Sequence, residues 1–351
     1  MQEMLEFGKR PTPSVRLHVA KFVHRELAIR YAVRIHELQR LPQWCGDIAA
    51  FHEVQNIYLE SFRKLRHIPA PQDSNGVIEL TNLLEDISQR HGVVLKRLAA
   101  AVHDLRKKGR ISSEAHSNYL ECFLDRNMTA RIGTLMLTQQ HLSLQPGNHQ
   151  YGWVGNIQLE CRPANICHTA AFYARELCEK EYGWAPEVQV HGDTDAQLAY
   201  FPAYIHYVMG ELLKNAVRAT MERNPKDPPP VEVEIGGGDT EVGVCVRDHG
   251  GGIPRELQEK VWQYSFTSVK QDDRLQNVLY EQDRPLLAGL GFGLPLSRLY
   301  ARYFGGDIQL NSLVNRGTSA YYQMNRLGEV SEAIPEYYLR KVPLKHDWKD
   351  E

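Results

Sequence analysis

The stretch GLGFGLPLSRLYARYFGG, residues 289–306, carries alternating glycines immediately before a helical pattern. Pro295 suits the first turn of a helix, and Gly305 or Gly306 would end that helix. A glycine-rich segment that runs into a helix N-terminus presents backbone N–H groups to phosphate. The sequence therefore predicts a phosphate-binding turn, and its alternating glycines are Gly289, Gly291 and Gly293.

A dinucleotide-binding fingerprint is the competing interpretation of these glycines. That fingerprint needs a preceding strand, a βαβ unit and an acidic residue about 20 positions further on. The preceding residues 271–288, QDDRLQNVLYEQDRPLLA, are polar and uneven, and they predict a mobile loop instead of a strand. The dinucleotide interpretation is therefore disfavoured.

The segment ELLKNAVRAT, residues 211–220, predicts a helix with one polar side. At about 100° per residue, Glu211, Asn215 and Arg218 lie along one stripe beside an apolar face. Charged residues at this spacing usually form no more than a solvated helix face. Asn215 argues for more, because asparagine is a poor helix former and here stands among good ones. Its amide oxygen is a suitable ligand for Mg²⁺ beside substrate phosphates.

The segment VCVRDHGGGIP, residues 244–254, places Asp248 at the end of an alternating strand and before three glycines. An Asp-x-Gly sequence is commonly only a polar turn. A carboxylate at a strand end can also accept a hydrogen bond from the adenine amino group, while glycine lets the backbone approach the base. Thr318, in a turn between two later strands, could add a hydroxyl to the same site. The order and spacing of these pieces, more than any one of them, indicate a nucleotide site.

Helical periodicity dominates residues 15–145. Apolar residues recur with helical spacing from Leu80 to Leu105, and a shorter series that includes Tyr31 ends before Pro42. Several long amphipathic helices with little strand signal predict a bundle. His91 lies on the apolar stripe, where a core histidine held by a neighbour is the simplest explanation.

Short alternating segments replace the helical pattern after a polar boundary at 145–152. The segment VEVEIGGGDTEVGVCV, residues 231–246, predicts a hairpin across a glycine-rich turn. Helices are expected between the strands, at 165–180, 203–222 and 295–304. One antiparallel or mixed sheet with helices on one face is the simplest architecture.

We therefore predict an α+β protein with two domains and a tail. A helical bundle occupies 15–145, a domain of sheet and helices occupies 150–326, and a polar tail occupies 327–351.

Composition excludes several classes of protein. The chain has 351 residues, and its 42% hydrophobic and 24% charged residues are ordinary for a soluble globular protein with two domains. A formal net charge of −2 gives no basic field for nucleic acid, and no apolar run approaches the about 18 residues of a membrane span. The six cysteines lack metal-ligand spacing and are expected to be reduced. Acidic Glu3 and Glu6 argue against a targeting peptide, so the chain is expected to be a mature form.

The series of segments resembles the histidine-kinase-like (GHKL) ATP-binding fold of sensor histidine kinases, type II topoisomerases, MutL-type repair ATPases and large heat-shock chaperones. Within that superfamily the chain resembles the mitochondrial 2-oxoacid dehydrogenase kinases, which comprise pyruvate and branched-chain types. The resemblance covers roughly residues 22–325 and includes a helical signature that the other branches lack. It rests on FLDRNMTARIGTLMLTQQH at 123–141, ELLKNAVRATMER at 211–223, DHGGGIP at 248–254 and GLGFGLPLSRLYARYFGGDIQL at 289–310.

The resemblance implies a protein serine kinase with an α/β-sandwich ATP-binding domain that uses ATP and Mg²⁺. By that resemblance, Glu211 deprotonates or polarises the substrate serine hydroxyl, and Asn215 binds Mg²⁺. A carboxylate within reach of the hydroxyl can take its proton, and phosphoryl transfer otherwise requires positioning and charge neutralisation. The other nucleotide-site residues that the resemblance implies are Lys214, Arg218, Asp248, Gly250, Gly252, Thr267, Ser268, Gly289, Leu290, Gly291, Phe292, Gly293, Leu294 and Thr318.

In the helical half, Tyr58, His91 and Arg131 match positions that line a pocket for regulatory 2-oxoacids in this family. An arginine beside tyrosine and histidine suits a small carboxylate. The second arginine of the branched-chain kinases is Leu135 here, which leaves the identity of the acid open.

The sequence shows features of both kinds of kinase, the branched-chain type and the pyruvate type. Many family members carry histidine four residues before the catalytic glutamate, whereas this chain has Tyr207. Tyrosine there and KEYGWAPEV at 180–188 resemble the branched-chain kinases. In contrast, the pyruvate dehydrogenase kinases are resembled by two other features, SRLYARYF at 297–304 and the pair Asp347-Trp348. The balance slightly favours pyruvate dehydrogenase as the substrate.

The resemblance also implies partners and a location. The substrate would be the decarboxylase α subunit, inactivated by phosphorylation, and the lipoyl-bearing acyltransferase core would be a second partner. A homodimer in the mitochondrial matrix is expected, without nucleic acid or membrane. Two other classes remain open: a histidine kinase, which needs a phospho-accepting histidine in a dimerisation helix, and an ATP-driven clamp, which needs further domains. An inactive scaffold is least favoured, because all the nucleotide pieces are present.

Overall fold

The computed structural model describes residues 11–148, 150–267 and 291–326, together with Leu5. Helices fill the first part of the chain, and a mixed sheet with packed helices fills the second, so the predicted α+β class is confirmed. The predicted loop at 271–288 and the predicted tail at 327–351 lie outside the described residues.

The helices of the first part end at Ser143, ten residues before the first strand begins at Trp153. Thr12, Asp73 and Ser113 begin three of them by accepting a hydrogen bond from an otherwise unpaired amide, over 3.4, 2.9 and 3.2 Å respectively. The helices are α1 (Pro13–Gln39), α2 (Gln43–Gly46), α3 (Ala49–His67), α4 (Ser74–His91), α5 (Val94–Lys107) and α6 (Glu114–Ser143).

The predicted apolar stripe from Leu80 to Leu105 is divided between α4 and α5. Gly92 lies at the break, where its amide donates to the carbonyl of Gln89 over 3.2 Å, three residues back instead of four. Glycine is a poor helix former, so the chain breaks there at low cost. Leu80 and Leu98 are both fully buried, and both belong to the same hydrophobic core.

The second part is built on a five-stranded sheet with the strands β3 (Val188–Gly192), β5 (Val231–Gly237), β6 (Glu241–Arg247), β7 (Asp307–Leu313) and β8 (Gly317–Asn325). Their order in the sheet is β3-β5-β6-β8-β7. The first pair is parallel and the others are antiparallel, which makes the sheet mixed. The predicted hairpin at 231–246 is confirmed, with Val233 opposite Val246.

A separate three-stranded sheet, ordered β1-β2-β4, was not predicted. Its strands are β1 (Trp153–Val154), β2 (Ile157–Cys161) and β4 (Leu198–Tyr200). Two of them are only two or three residues long, too short to show the alternation on which strand prediction depends.

The helices of the second part are α7 (Pro163–Tyr182), α8 (Pro202–Arg223) and α9 (Gly293–Tyr303). Helices α7 and α8 pack on each other and contact the sheet, while α9 contacts β7, β8 and α8. Helix α9 also contacts α6 of the bundle. Within the described ranges, no helix is both long and apolar enough to cross a membrane.

Candidate active site

Helix α8 carries the polar stripe that the sequence predicted. Glu211, Lys214 and Arg218 are partly buried, and Asn215 is exposed. Glu211 and Lys214 form an ion pair, and Arg218 Nε donates to Glu222 Oε1 over 2.7 Å. The adjacent apolar face anchors the helix through buried Leu212, Leu213, Ala216 and Val217.

Asp248 lies immediately after β6 and is held by backbone amides. Its Oδ1 accepts hydrogen bonds from the amides of Gly250 and Thr318 over 2.9 and 3.1 Å. Burial raises the pKa of this carboxyl above the usual aspartate value, although the two N–H donors oppose that shift. Oδ2 accepts no hydrogen bond from the described residues, so it can accept one from a ligand.

The glycine turn after β6 packs against the turn between β7 and β8. Gly252 has φ +69°, and a Cβ there would overlap the carbonyl of Leu313, so glycine is required. Thr318 Oγ1 lies 2.9 Å from Ser312 Oγ, which accepts a hydrogen bond from the Ile253 amide over 2.7 Å. Ser312 thus joins both turns, and its role was not predicted from the sequence. Its one signal was a hydroxyl within an alternating strand.

The N-terminus of α9 lies beside Glu211. A Cβ at Gly293, the first residue of α9, would overlap the Glu211 carboxylate. Phe292, which precedes it, is buried. The amides of a helix N-terminus attract phosphate oxygens, so a phosphoryl group placed there would lie close to this carboxylate. Three further predicted residues lie outside the described residues: Ser268, Gly289 and Leu290.

A cavity of about 450 Å³ opens between α8, the end of β6 and α9. Its volume falls in the range of about 300–1,000 Å³ that is typical of small-molecule sites. The structure brings six of the predicted residues to its wall: Asn215, Arg218, Asp248, Gly252, Leu294 and Thr318. Other predicted residues are not among its lining: Glu211, Lys214, Gly250, Thr267, Gly291, Phe292 and Gly293.

The apolar wall of the cavity was not predicted from the sequence. An apolar slot with an unpaired carboxylate oxygen suits a purine that carries an amino group. Strand alternation placed some of these residues on an inner face, but it could not show that the face borders a cavity. Besides the predicted Leu294, the apolar wall includes Leu212, Ala216, Ala219, Val246, Ile253, Pro254, Leu257, Val261, Phe266, Leu310 and Ala320.

The surroundings of Asn215 suit a magnesium ion that is bound mainly by its substrate. Among the described residues, no group of three His, Cys, Asp or Glu side chains could hold a metal ion. The exposed amide of Asn215 lies on the cavity wall. Mg²⁺ commonly takes one or two protein oxygens and completes its shell with water and phosphate. A single amide oxygen therefore fits this ion.

Comparison with known proteins identifies the family. Residues 1–158 match the model of the mitochondrial branched-chain alpha-ketoacid dehydrogenase kinases, and residues 202–326 match that of the histidine kinase-, DNA gyrase B- and HSP90-like ATPases. The mitochondrial pyruvate dehydrogenase (acetyl-transferring) kinase of Arabidopsis thaliana is 38% identical, covering 95% of this chain and 92% of the plant protein. The chain belongs to the pyruvate dehydrogenase kinase family. The human pyruvate dehydrogenase kinase isozyme 4 is 30% identical, covering 99% of this chain and 85% of the human protein.

Membership of this kinase family confirms several predictions. The chain is a protein kinase with a histidine-kinase-like ATPase domain, and ATP is its phosphoryl donor. The names of the relatives favour the pyruvate type over the branched-chain type, although the model matched by residues 1–158 carries the branched-chain name. The relatives are named as mitochondrial.

In the kinase's helical bundle, Tyr58 and His91 pack together, with ring centroids 5.1 Å apart. Tyr31, which the sequence analysis placed only on an apolar stripe, packs on both rings, at 5.8 Å from Tyr58 and 5.2 Å from His91. His91 Nε2 lies 2.9 Å from Ser61 Oγ. Burial, reinforced by the charge of Arg131, lowers the pKa of His91 to about 3. The ring is therefore neutral near pH 7, and the positive charges nearest to it are those of Arg131 and Arg90.

Tyr207 lies one helical turn before Glu211 in this kinase. Its ring centroid is 5.0 Å from that of Tyr300 on α9, whereas the neighbouring His206 is exposed. Burial and the nearby Glu211 carboxylate raise the pKa of the Tyr207 phenol well above its usual value. The phenol therefore stays protonated near pH 7, so it can form hydrogen bonds but cannot act as a base.

Proposed function

We propose that this kinase phosphorylates a serine of the decarboxylase α subunit of the pyruvate dehydrogenase complex and thereby inactivates the complex. One observation carries the proposal: Asn215 and Asp248 share a cavity wall, and Glu211 lies beside the N-terminus of α9 next to it. The choice of pyruvate dehydrogenase is supported by the names of the relatives that match nearly the whole chain.

In this proposal, Asp248 binds the adenine of ATP and the N-terminus of α9 binds its phosphates. The adenine amino group donates to Asp248 Oδ2, while the ring occupies the apolar slot of the cavity. The triphosphate extends along α8 toward Gly293, where the amides of the α9 N-terminus face phosphate oxygens. Lys214 and Arg218 add positive charge along that path.

Phosphoryl transfer then requires a base beside the acceptor. The serine hydroxyl oxygen attacks the γ-phosphorus, the bond from that phosphorus to the β,γ-bridging oxygen breaks, and ADP leaves. Glu211 takes the hydroxyl proton, because its carboxylate lies beside the α9 N-terminus, where the γ-phosphoryl group is placed. Lys214, which pairs with Glu211, holds the carboxylate in place.

Mg²⁺ would be held by the Asn215 amide oxygen together with phosphate oxygens. Bound there, the ion neutralises charge on the triphosphate. Asn215 and Glu211 lie four residues apart on α8, so one rigid helix positions both the metal ligand and the base.

We also propose the division of labour between the domains. The bundle at 15–145 binds partners and a regulatory 2-oxoacid, the domain at 150–326 binds ATP and performs transfer, and 327–351 is a tail. Support for the regulatory site comes from the buried Tyr58–His91 pair and the adjacent charge of Arg131.

A homodimer in the mitochondrial matrix, bound to the lipoyl-bearing acyltransferase core, completes the proposal. Strand β7 is an edge strand, and Leu313 and Val314 at its end are 62% and 56% exposed. Exposed apolar residues at a sheet edge are suited to pairing with a second copy. Analytical ultracentrifugation tests the dimer directly.

One experiment tests the function. The kinase is incubated with γ-labelled ATP, Mg²⁺ and purified pyruvate or branched-chain dehydrogenase complex, and the labelled residues are mapped by mass spectrometry. We expect a labelled serine in the decarboxylase α subunit of the pyruvate complex and loss of that complex's activity. Preferential labelling of the branched-chain complex would overturn the choice of substrate, and phosphohistidine on the kinase itself would overturn the serine kinase mechanism.

A further inference from the structure

Helix α6 of the bundle holds a segment of the ATP-binding domain through one carboxylate. Glu121 Oε2 accepts the amide of Tyr264 over 2.8 Å, and Glu121 Oε1 accepts the amide of Ser265 over 3.0 Å. A carboxylate that accepts two successive N–H groups fixes both the position and the orientation of the backbone. The partners are separated by more than 140 residues of sequence and belong to different domains.

Two further side chains of the bundle hold the same residue. Arg106 Nη2, at the end of α5, donates to the carbonyl of Tyr264 over 2.9 Å. The Tyr264 hydroxyl donates to Asp125 Oδ1 over 3.1 Å. Tyr264 is only 1% exposed, so its amide, carbonyl and hydroxyl are all fixed within an interface from which water is largely excluded.

The held segment contacts the residues at the N-terminus of α9. The ring of Tyr264 packs on Phe292 with a centroid distance of 5.0 Å. Gly291 has φ +74°, and a Cβ there would come within 2.7 Å of the Phe266 carbonyl and 3.3 Å of Arg106 Nη2. Gly293 follows and touches the Glu211 carboxylate. A continuous series of contacts therefore runs from the bundle to the base.

We propose that Glu121 is a positioning residue for phosphoryl transfer. Its carboxylate, supported by Arg106, fixes Tyr264 and through Phe292 keeps Gly291–Gly293 in register with Glu211 and the triphosphate. The inference rests on the proposed nucleotide site, to which it adds a requirement: the bundle completes the site instead of merely regulating it. A displacement of about 1 Å at a reacting centre can lower the rate about 10²-fold, so this support has a measurable effect.

The test uses the full chain, ATP-Mg²⁺ and the pyruvate dehydrogenase complex. The variants are Glu121→Ala, which removes both acceptors, and Glu121→Gln, which keeps the length and one acceptor oxygen. Glu114→Gln is the matched control, because it removes an exposed glutamate from the same helix. For each protein, kcat and the KM for ATP are measured, together with the thermal midpoint in the absence of nucleotide.

We expect Glu121→Ala to lower kcat/KM for ATP about 10- to 100-fold with a raised KM, and Glu121→Gln to lie between that variant and wild type. A purely structural role would instead lower kcat in proportion to the folded fraction at an unchanged KM, and that result would overturn the inference. Values equal to the Glu114→Gln control would overturn it as well, while an active wild type would leave the proposed function standing. If wild type neither binds ATP nor labels the complex, both the proposed function and this inference are refuted. Should Glu121→Ala not fold, Glu121→Gln provides the same comparison.

Discussion

Replacing Asp248 with asparagine separates recognition of adenine from folding. Asparagine can keep Oδ1 as the acceptor for the amides of Gly250 and Thr318. At the other atom, an amide NH₂ replaces the oxygen that faces the ligand, so a donor meets the amino group of adenine. Asp248→Ala is less informative, because it would leave the N–H groups of Gly250 and Thr318 without their acceptor, and a buried unpaired N–H such as that of Gly250 costs about 1–3 kcal/mol.

The size of the effect follows from these contacts. A hydrogen bond to a charged acceptor contributes about 1.5–3 kcal/mol. Its loss should weaken ATP binding about 10- to 150-fold. Stability without nucleotide should not fall: burial raises the pKa of Asp248, so the native state binds the proton more tightly than the unfolded chain does. The ionised carboxylate therefore costs stability near pH 7, and asparagine removes that cost.

Calorimetric titration of ATP and of inosine triphosphate, both with Mg²⁺, measures the prediction. Inosine carries a carbonyl oxygen in place of the adenine amino group. Wild type should prefer ATP, whereas Asp248→Asn should lose or reverse the preference, because its NH₂ can donate to that oxygen. The assignment of Asp248 to adenine is wrong if the folded variant binds ATP as tightly as wild type. A large fall in thermal midpoint would show that the carboxylate is structural.

Three further predictions concern the base, the metal and the bundle histidine. Glu211→Gln should retain ATP affinity and lose phosphoryl transfer by about 10²-fold or more, and unchanged turnover would remove Glu211 from the mechanism. Asn215→Ala should lose the gain in nucleotide affinity that Mg²⁺ provides; an unaltered ratio of Kd values with and without Mg²⁺ would contradict its role. His91 has a native pKa of about 3 and an ordinary value of 6.5, so the unfolded chain binds its proton first as the pH falls. The free energy of unfolding should therefore decrease below about pH 6.5, by about 1.4 kcal/mol per pH unit from this group. Thermal midpoints of wild type and His91→Gln between about pH 7 and pH 5 measure this, and equal slopes would refute it.

Sequence reasoning succeeded where chemistry and local pattern coincide. The hairpin of β5 and β6 follows from alternating valines across a glycine-rich turn, and the same alternation places Asp248 at the strand end. Helical spacing alone puts Glu211 and Asn215 on one side of α8. These features depend on neighbours within a few residues, so a single sequence contains enough information to predict them.

Contacts between distant segments were not predictable in this way. Ser312 accepts a hydrogen bond from the amide of Ile253, 59 residues away in the sequence, and nothing in its strand distinguishes it from a solvent-facing hydroxyl. Tyr31 has the spacing of an ordinary core residue, and only the packing of α1 on α3 and α4 brings its ring against Tyr58 and His91. Glu121 shows the same limit, since a glutamate on an amphipathic helix normally faces water.

Glu121 and Arg131 lie on the same helix, which gives the two proposals for the bundle a common prediction. They are ten residues apart, about 15 Å along α6. A 2-oxoacid bound at Arg131 can affect nucleotide binding only if the two ligands favour different positions of some shared element, and α6 contacts both sites. Millimolar pyruvate should then change ADP affinity by about 5- to 150-fold in wild type, reciprocally for the two ligands.

Arg131→Ala should abolish pyruvate binding, whereas Glu121→Gln should retain pyruvate binding and lose the change in ADP affinity. Calorimetry on both variants separates these outcomes. If Glu121→Gln shows the full wild-type change, α6 does not couple the sites; if Arg131→Ala also shows it, Arg131 is a structural residue of the bundle.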